Sequence, residues 1–535
     1  MAGSPLISLC MIVRDEEERL GRCLESARPF VDEIVVVDTG STDGTVALAE
    51  RHGARVVHEP WTDDFSAARN RSLEEARGRW ILVLDADEIL SEEAGRHLRR
   101  IAAEEKVLAA VFTMRCAESD GGDTRSLMVR AFRRREDIRF RYRIHEQVLP
   151  DIVRVLKDEG LEQRLCPGEI FHDGYLEEVV ESRGKNERNL RIYELQLQET
   201  PDDAFMLYKY ADFLRRIEGR EEARRDALER AFAVVEALDS EERLSLSFCG
   251  QICALLAEAL QREGDLERAF EVSTLGVSTC QTTADLYYVH GNTALLLGDS
   301  TTAEEAFEEC RACADRPGPI ACAPEIMGLG AAMGLARARF LQGWTDEAVQ
   351  DAVAILEEHP RSEEALNLVV DLHRSAGLYS DLMGRLGEVV LRDPSWAAVW
   401  FRGAELLAGL RLYQKALPWI MRASELGLPT TETKALEGEC FLGIGMAEKA
   451  MDAFEEGLPD PRCHAGLIVL QLLCRSEPTE PLDPSDSDLF QACRTLLGRI
   501  TSDENHPFRE GLTSARSWIR ALNSRNRPFL EEAMA

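Results

Sequence analysis

Apolar and polar positions follow two different rhythms along this chain, one before and one after about residue 190. In the first stretch, short unbroken apolar runs occupy residues 6–13, 33–37, 54–57 and 80–84. Runs of that length without alternation suit strands buried on both faces. Helical patterns lie between them, through Leu20, Leu24 and Ala27, through Val46, Leu48 and Ala49, and over 66–76. Strands alternating with helices at this spacing predict an α/β domain with a parallel, Rossmann-like sheet. From Val107 to Ile144 the pattern turns to short strands.

Beyond residue 200 the rhythm is helical and repeats. Small residues of the second helix of each pair fall at Ala223, Ala269, Ala303, Ala348, Ala416 and Ala450, spaced by 46, 34, 45, 68 and 34 residues. Phe307, Ile420 and Phe454 each follow one of these by four residues. Pro360 and Pro394 are 34 apart, and Gly298, Gly343, Gly377, Gly409 and Gly445 mark turns between paired helices. A helix–turn–helix period of 34 is the tetratricopeptide signature, in which one pair buries its apolar face only against its neighbours. Tyr287 with Gly291 and Trp400 with Ala404 fit the large and small positions of the first helix. About seven repeats are expected, with insertions near 235–248 and 312–325. The predicted organisation is an α/β domain over 1–190, an all-α tetratricopeptide solenoid over 191–474, a linker or loop over 475–488 and a helical cap over 489–535. Such solenoids bind a peptide or another protein, or pair with a second copy as a homodimer.

Charge and composition narrow the partners. A formal charge of −33, spread over both parts, argues against nucleic acid, whose phosphates would be repelled. The 14 cysteines are scattered, which suits reduced thiols in a cytosol. Cys310 and Cys313 have a Cys-x-x-Cys spacing with no second pair nearby, so packing is the default reading over zinc. The N-terminus carries no basic n-region and no segment is long enough to span a bilayer, so a cytoplasmic location is expected.

The chemistry concentrates where the fourth apolar run ends, in Leu84-Asp85-Ala86-Asp87-Glu88. Side chains at i and i+2 share one face of a strand, so both acids can reach one site. Ligands of open α/β sheets gather at the carboxyl ends of the strands. Two carboxylates there suit a hard cation such as Mg²⁺ or Mn²⁺. The competing reading is a helix cap and a solvated acid. Arg125, Arg130, Arg133, Arg134, Arg135, Arg139, Arg141 and Arg143 cluster further on, either facing an anion or lining a solvated strand face. No Gly-x-x-x-x-Gly-Lys loop is present, which argues against ATP chemistry.

The order strand, Arg14-Asp15-Glu16-Glu17, helix, then 35–45 (VVVDTGSTDGT), 61–70 (WTDDFSAARN) and 80–88 (WILVLDADE) resembles the family 2 glycosyltransferases of the GT-A fold. The likeness covers about the first 190 residues. It is strongest to the branch holding lipopolysaccharide-core glucosyltransferases and peptide S-glycosyltransferases. The resemblance implies a UDP-sugar donor and a Mn²⁺ or Mg²⁺ ion that neutralises charge on the departing diphosphate. It makes Asp87 a direct metal ligand and places Asp85 on the ribose or a metal-bound water. It sets backbone groups at Ile12, Val13 and Arg14 along the uracil cleft, with Glu16 close by. Asp38 would accept from uracil, but Thr39 stands where many relatives have a second acid, which leaves Asp43 as an alternative. Arg69 falls where relatives hold a basic residue near the nucleotide. The stretch Ile144-His145-Glu146-Gln147 falls where the catalytic acid belongs, so Glu146 is the expected base, with His145 orienting it or acting in its place. His172, in Phe171-His172-Asp173-Gly174-Tyr175, would complete the metal shell. Lys185, Arg188 and Asn189 could close over the diphosphate or cap the domain. The implied enzyme is an inverting, metal-dependent glycosyltransferase, with a peptide or protein acceptor suggested by the solenoid. A glycan or lipid-linked acceptor is the first alternative, and a scaffold with a transferase-like domain that no longer turns over is the second.

Overall fold

The computed structural model describes residues 6–117, 123–172, 182–315, 324–473 and 496. The expected linker over 475–488, and all of the cap over 489–535 except Leu496, lie outside the described residues, as do Gly174 and Tyr175. By compactness the chain divides into two units, 1–334 and 335–535.

The first unit opens with an α/β arrangement. Strands β1 (Ile7–Val13), β2 (Glu33–Asp38), β3 (Arg55–His58) and β4 (Trp80–Val83) coincide with the four apolar runs. Helices α1 (Leu20–Ala27), α2 (Thr45–Arg51) and α3 (Phe65–Glu75) connect them. Then follow β5 (Glu88–Leu90), α4 (Glu92–Ile101), β6 (Val107–Ala117), β7 (Asp123–Arg133), α5 (Leu149–Glu159) and β8 (Glu162–His172). All eight strands form one sheet in the order β3-β2-β1-β4-β7-β6-β8-β5.

The expected parallel pairing holds for β1 to β4 and recurs between β6 and β8. β7 runs antiparallel to β4 and β6, and β5 antiparallel to β8. β6 and β7 are 11 residues each, not short strands, and α5 and β8 complete the domain. After Glu88 the chain makes a strand pairing with β8 before Ser91 caps α4, where a helix start was expected at once. That detour has a physical reason: Glu88 to Leu90 gain backbone partners in 170–172, which lie far off in sequence.

Alternation along the strands splits the core between the two faces. Leu9, Met11, Val36 and Leu82 pack on the side of Leu20, Leu24 and Leu98. Cys10, Val35, Ile81 and Val83 pack on the side of Leu73, Ile152 and Val155. β1, β2 and β4 are therefore apolar over most of their length because helices cover both faces. That sandwich leaves the carboxyl ends of β1, β2 and β4 together on one sheet edge.

Helices α6 (Ser182–Glu199), α7 (Ala204–Leu214) and α8 (Glu221–Ala237) follow in the same unit. With a short helix at Ser240–Ser245 set into the expected insertion, the described residues hold seven helix pairs from α7 to Glu456, then Pro461–Leu473. Ala269, Ala303, Ala348, Ala416 and Ala450 are fully buried, as are Phe307, Ile420 and Phe454 to within 1%. Close approach explains the small positions. A Cβ on Gly291 would meet the Phe307 ring at 3.0 Å. Two details depart from the reading. Ala223 is half-buried and Ala227 packs in its place. Gly409 ends the helix Ala397–Gly409, and the left-handed turn position is Arg411 at φ 61°, 34 residues from both Gly377 and Gly445. No helix among the described residues is long and apolar enough to cross a membrane.

Candidate active site

Strand β4 stops at Val83, so Asp85 and Asp87 stand on the connection to β5 and not on the strand itself. The connection is pinned: the Asp85 N–H donates to Glu88 Oε2 at 3.0 Å, and the Glu88 N–H to the Asp85 carbonyl at 3.1 Å. Cys23 adds an S–H donated to that same carbonyl at 3.3 Å. Glu88 pairs in register with His172 across β5 and β8, which brings the end of β8 beside the acids. The His172 Nε2 lies 3.2 Å from Asp87 Oδ2. The Asp87 hydrogen bond raises the His172 pKa, burial opposes it, and Glu88 and Asp85 reinforce it.

Arg69 is the hub. Helix α3, capped by Asp64 through the Ala67 N–H at 2.9 Å, aims it into the sheet edge. Only 7% exposed, its guanidinium donates Nε to Glu146 Oε1 at 2.5 Å and Nη2 to Asp85 Oδ1 at 2.8 Å. Its carbon Cζ sits 5.6 Å from the Phe140 ring centre. Arg69 thus spans two carboxylates, where a phosphate-facing role was expected. On the far side of Asp85, Arg130 Nη2 lies 3.7 Å from Oδ2 and bonds Glu88 Oε1. Acids and bases alternate from Glu146 through Arg69, Asp85 and Arg130 to Glu88. Desolvation pushes the Asp85 pKa up, but the charges of Arg69 and Arg130 overcome it and hold the pKa down at about 2. Glu88 is 2% exposed, and burial outweighs Arg130 to push its pKa up to about 7.

Arg130 and Glu88 were missed as site residues. Arg130 lies in an arginine-rich stretch that reads as a solvated face, yet its side chain is 12% exposed. Glu88 carried one signal, its place three residues after Asp85, where a side chain can return to the Asp85 N–H.

At the end of β2, Asp38 accepts from the Ser41 N–H at 3.1 Å and lies 3.2 Å from His58 Nδ1. Its burial would raise the pKa, and the Ser41 and His58 hydrogen bonds lower it on balance. Asp43 is spent on structure: it accepts from the Glu17 N–H at 3.1 Å and from Thr45 N–H and Oγ1 at 3.0 and 2.5 Å. Ile12 and Val13 pair with Val37 and Asp38 in the sheet, and Thr39 bonds the Val13 carbonyl. Arg14 is exposed beside Asp15, and the Glu16 carbonyl accepts the Leu20 N–H at 3.0 Å to start α1. Arg188 stacks on Phe65 at 5.6 Å. Burial and the nearby Arg14 charge lower its pKa.

Glu146 sits on the 141–147 loop with its carboxylate 15% exposed. His145 turns Nε2 to the Tyr193 hydroxyl at 2.5 Å. Desolvation and the Lys209 charge hold the imidazole below its ordinary range, an effect tempered by the residue's exposed edge. A cleft of about 470 Å³ opens here, lined by Arg69, Asp85, Arg130 and Glu146 and by the apolar side chains of Val111, Leu127, Val129 and Leu149. Leu127 and Leu149 are 53% and 42% exposed.

Among the described residues no group of three or more His, Cys, Asp or Glu side chains is placed to hold a metal ion. Asp87 and His172 alone offer one carboxylate oxygen and one imidazole nitrogen, both partly open to solvent. A two-ligand site fits a Mg²⁺ or Mn²⁺ ion that takes its other ligands from water and substrate phosphates.

Residues 8–164 match the family model described as Glycosyl transferase family 2. A TPR repeat-containing protein of Synechococcus elongatus is 43% identical over 212 residues, 39% of this chain and 52% of that protein. The SPbeta prophage-derived glycosyltransferase SunS of Bacillus subtilis is 28% identical over 228 residues, 41% of this chain and 52% of the relative. This chain therefore spans about half the length of these curated relatives. A glucosyl-3-phosphoglycerate synthase of Mycobacterium tuberculosis, solved with Mn²⁺, UDP and phosphoglyceric acid, covers 37% of this chain and 78% of its own at 20% identity, with a TM-score of 0.29. The chain carries a family 2 glycosyl transferase domain at its N-terminus, followed by tetratricopeptide-type helix pairs.

Proposed function

We propose that this protein transfers a hexosyl or N-acetylhexosaminyl group from a UDP-sugar to a peptide or protein acceptor, with inversion. One observation carries the reading. A single buried guanidinium ties Glu146 to Asp85, so the candidate base and the donor-side acid line one cleft. Asp38, at the tip of β2, presents a carboxylate ordered by Ser41 and His58 for a uracil N–H. Asp43 is engaged by Glu17 and Thr45 at the start of α2 in this reading and leaves the base contact to Asp38. Asp85, ionised and oriented by two arginines, accepts from the donor's ribose hydroxyls. Asp87 and His172 would hold a Mn²⁺ or Mg²⁺ ion, which when bound supplies charge neutralisation for the departing UDP. Glu146, held in place by Arg69, takes the proton from the acceptor nucleophile as it attacks. The apolar lining of Val111, Leu127, Val129 and Leu149 excludes water on the acceptor side and suits aliphatic side chains flanking the modified residue. The repeats that follow, and the resemblance to the peptide S-glycosyltransferase branch, support a polypeptide acceptor over a glycan.

The test is UDP release from a panel of UDP-sugars by the full chain with Mn²⁺, alone and with Ser-, Thr- and Cys-containing peptides. Release that is stimulated by peptide, abolished by Asp87→Ala and lowered about 10²–10⁴-fold by Glu146→Gln is expected. Stimulation by glycans alone moves the acceptor class. Absence of turnover together with absence of UDP binding by calorimetry sinks the enzyme reading.

A further inference from the structure

The loop carrying Glu146 is held by helices that the matched residues 8–164 do not include. It closes on itself, with Arg141 and Gln147 exchanging backbone hydrogen bonds of 3.0 Å. Inside it, Tyr142 and His145 lie at φ 73° and 54°, a region that L residues resist. Support comes from α6 and α7. The Tyr142 hydroxyl donates to Asp203 at 3.0 Å. The Arg143 N–H donates to Gln196 Oε1 at 2.7 Å, and the Arg143 Nε to Glu199 at 3.1 Å. Ile144 packs with Ile192, Tyr193 and Met206. The Tyr193 hydroxyl donates its one proton to the Lys209 carbonyl at 3.1 Å, so it accepts from His145 Nε2–H. Glu146 is thus fixed from one side by Arg69 and from the other by the residue before it.

We infer that Tyr193 and Gln196 are positioning residues for Glu146, so that α6 and the first repeat helix are part of the catalytic apparatus. The inference rests on Glu146 being the base. It also gives the repeats a second use beyond binding, since a force on α7 reaches the base loop through Asp203 and Lys209.

The experiment uses the full chain and Tyr193→Phe, which keeps the ring and removes the hydroxyl. By hydrogen exchange with mass spectrometry, amides of 141–147 should exchange at least about tenfold faster while those of 80–90 stay unchanged. Unchanged exchange in 141–147 overturns the inference. Gln196→Leu gives the same readout through an independent contact, should Tyr193→Phe fail to fold. In UDP release from UDP-glucose with Mn²⁺, kcat should fall about tenfold with donor KM within about twofold. Adding Tyr193→Phe to Glu146→Gln should cost nothing further; an additive loss means Tyr193 acts elsewhere and overturns the inference. A Glu146→Gln enzyme at the native rate removes the base assignment instead, and the exchange readout then decides by itself whether α6 and α7 hold the loop.

Discussion

Replacing Arg69 by Met tests the charge network most directly. Met keeps most of the aliphatic stem and deletes the guanidinium, whose carbon sits over Phe140. Two charge-assisted hydrogen bonds are lost, to Glu146 and to Asp85. Each such bond contributes about 1.5–3 kcal/mol when enclosed. Glu146, 15% exposed, loses its Arg69 partner, a share of about 2 kcal/mol. Asp85 is 36% exposed and keeps Arg130 at 3.7 Å, so screening reduces its share to about 1 kcal/mol. The sum is about 3 kcal/mol at pH 7, which at about 2 °C per kcal/mol lowers the melting temperature of this unit by about 6 °C. Arg69→Lys should recover less than half, because a point charge on a flexible stem cannot bridge two acids. The pH dependence has a definite sign. In the native chain the Asp85 pKa is held at about 2, so its stabilisation is present above about pH 4 and is lost as pH falls toward 2. In Arg69→Met, Asp85 loses the larger of the two charges that hold its pKa down and takes up a proton at a higher pH than in the native chain, so the gap to the native chain narrows on acidification from pH 7 to pH 5. Scanning calorimetry at the two pH values measures it. A melting temperature within 1 °C of native at pH 7, or a gap that does not change with pH, refutes the network.

Three further outcomes follow from other parts of the molecule. Asp43→Ala should cost about 1 kcal/mol of stability through the lost hydrogen bonds to Glu17 and Thr45 and leave UDP affinity unchanged, whereas Asp38→Ala should weaken UDP binding at least about tenfold by calorimetry; the reverse pattern would exchange their roles. Arg411→Gly should raise the melting temperature of the repeats, since relief of a left-handed arginine (about 1–2 kcal/mol) exceeds the extra chain entropy of glycine (about 0.4–1 kcal/mol); a lowered temperature would mean that the arginine side chain outweighs its backbone. Phe307→Ala should cost about 3–5 kcal/mol in chemical denaturation, because the ring fills the space left by Gly291 and Gly334; a loss under 1 kcal/mol would show that the pair can collapse without it.

The apolar runs were enough to locate β1 to β4, because strands covered on both faces carry few polar positions to confuse the pattern. The 34-residue spacing located the repeats for a related reason: each pair meets the same packing problem and solves it with the same small and large residues. Chain order alone also placed Asp85, Asp87, Glu146 and His172 near one another by resemblance, and the tertiary structure brings Asp85 within one guanidinium of Glu146 and Asp87 beside His172. Three things were decided by folding. The reversal of β7 and the insertion of β5 beside β8 depend on backbone pairing between segments about 50 and about 80 residues apart, which leaves no local pattern. Arg130 looks like its exposed neighbours until β7 sets it against Glu88, and Arg69 looks free for phosphate until the 141–147 loop delivers Glu146 to it. Tyr193 reads as helix packing until its hydroxyl meets His145. Local sequence carries burial and periodicity, which are properties of single elements; a charge's partner is a property of two, and only the fold chooses it.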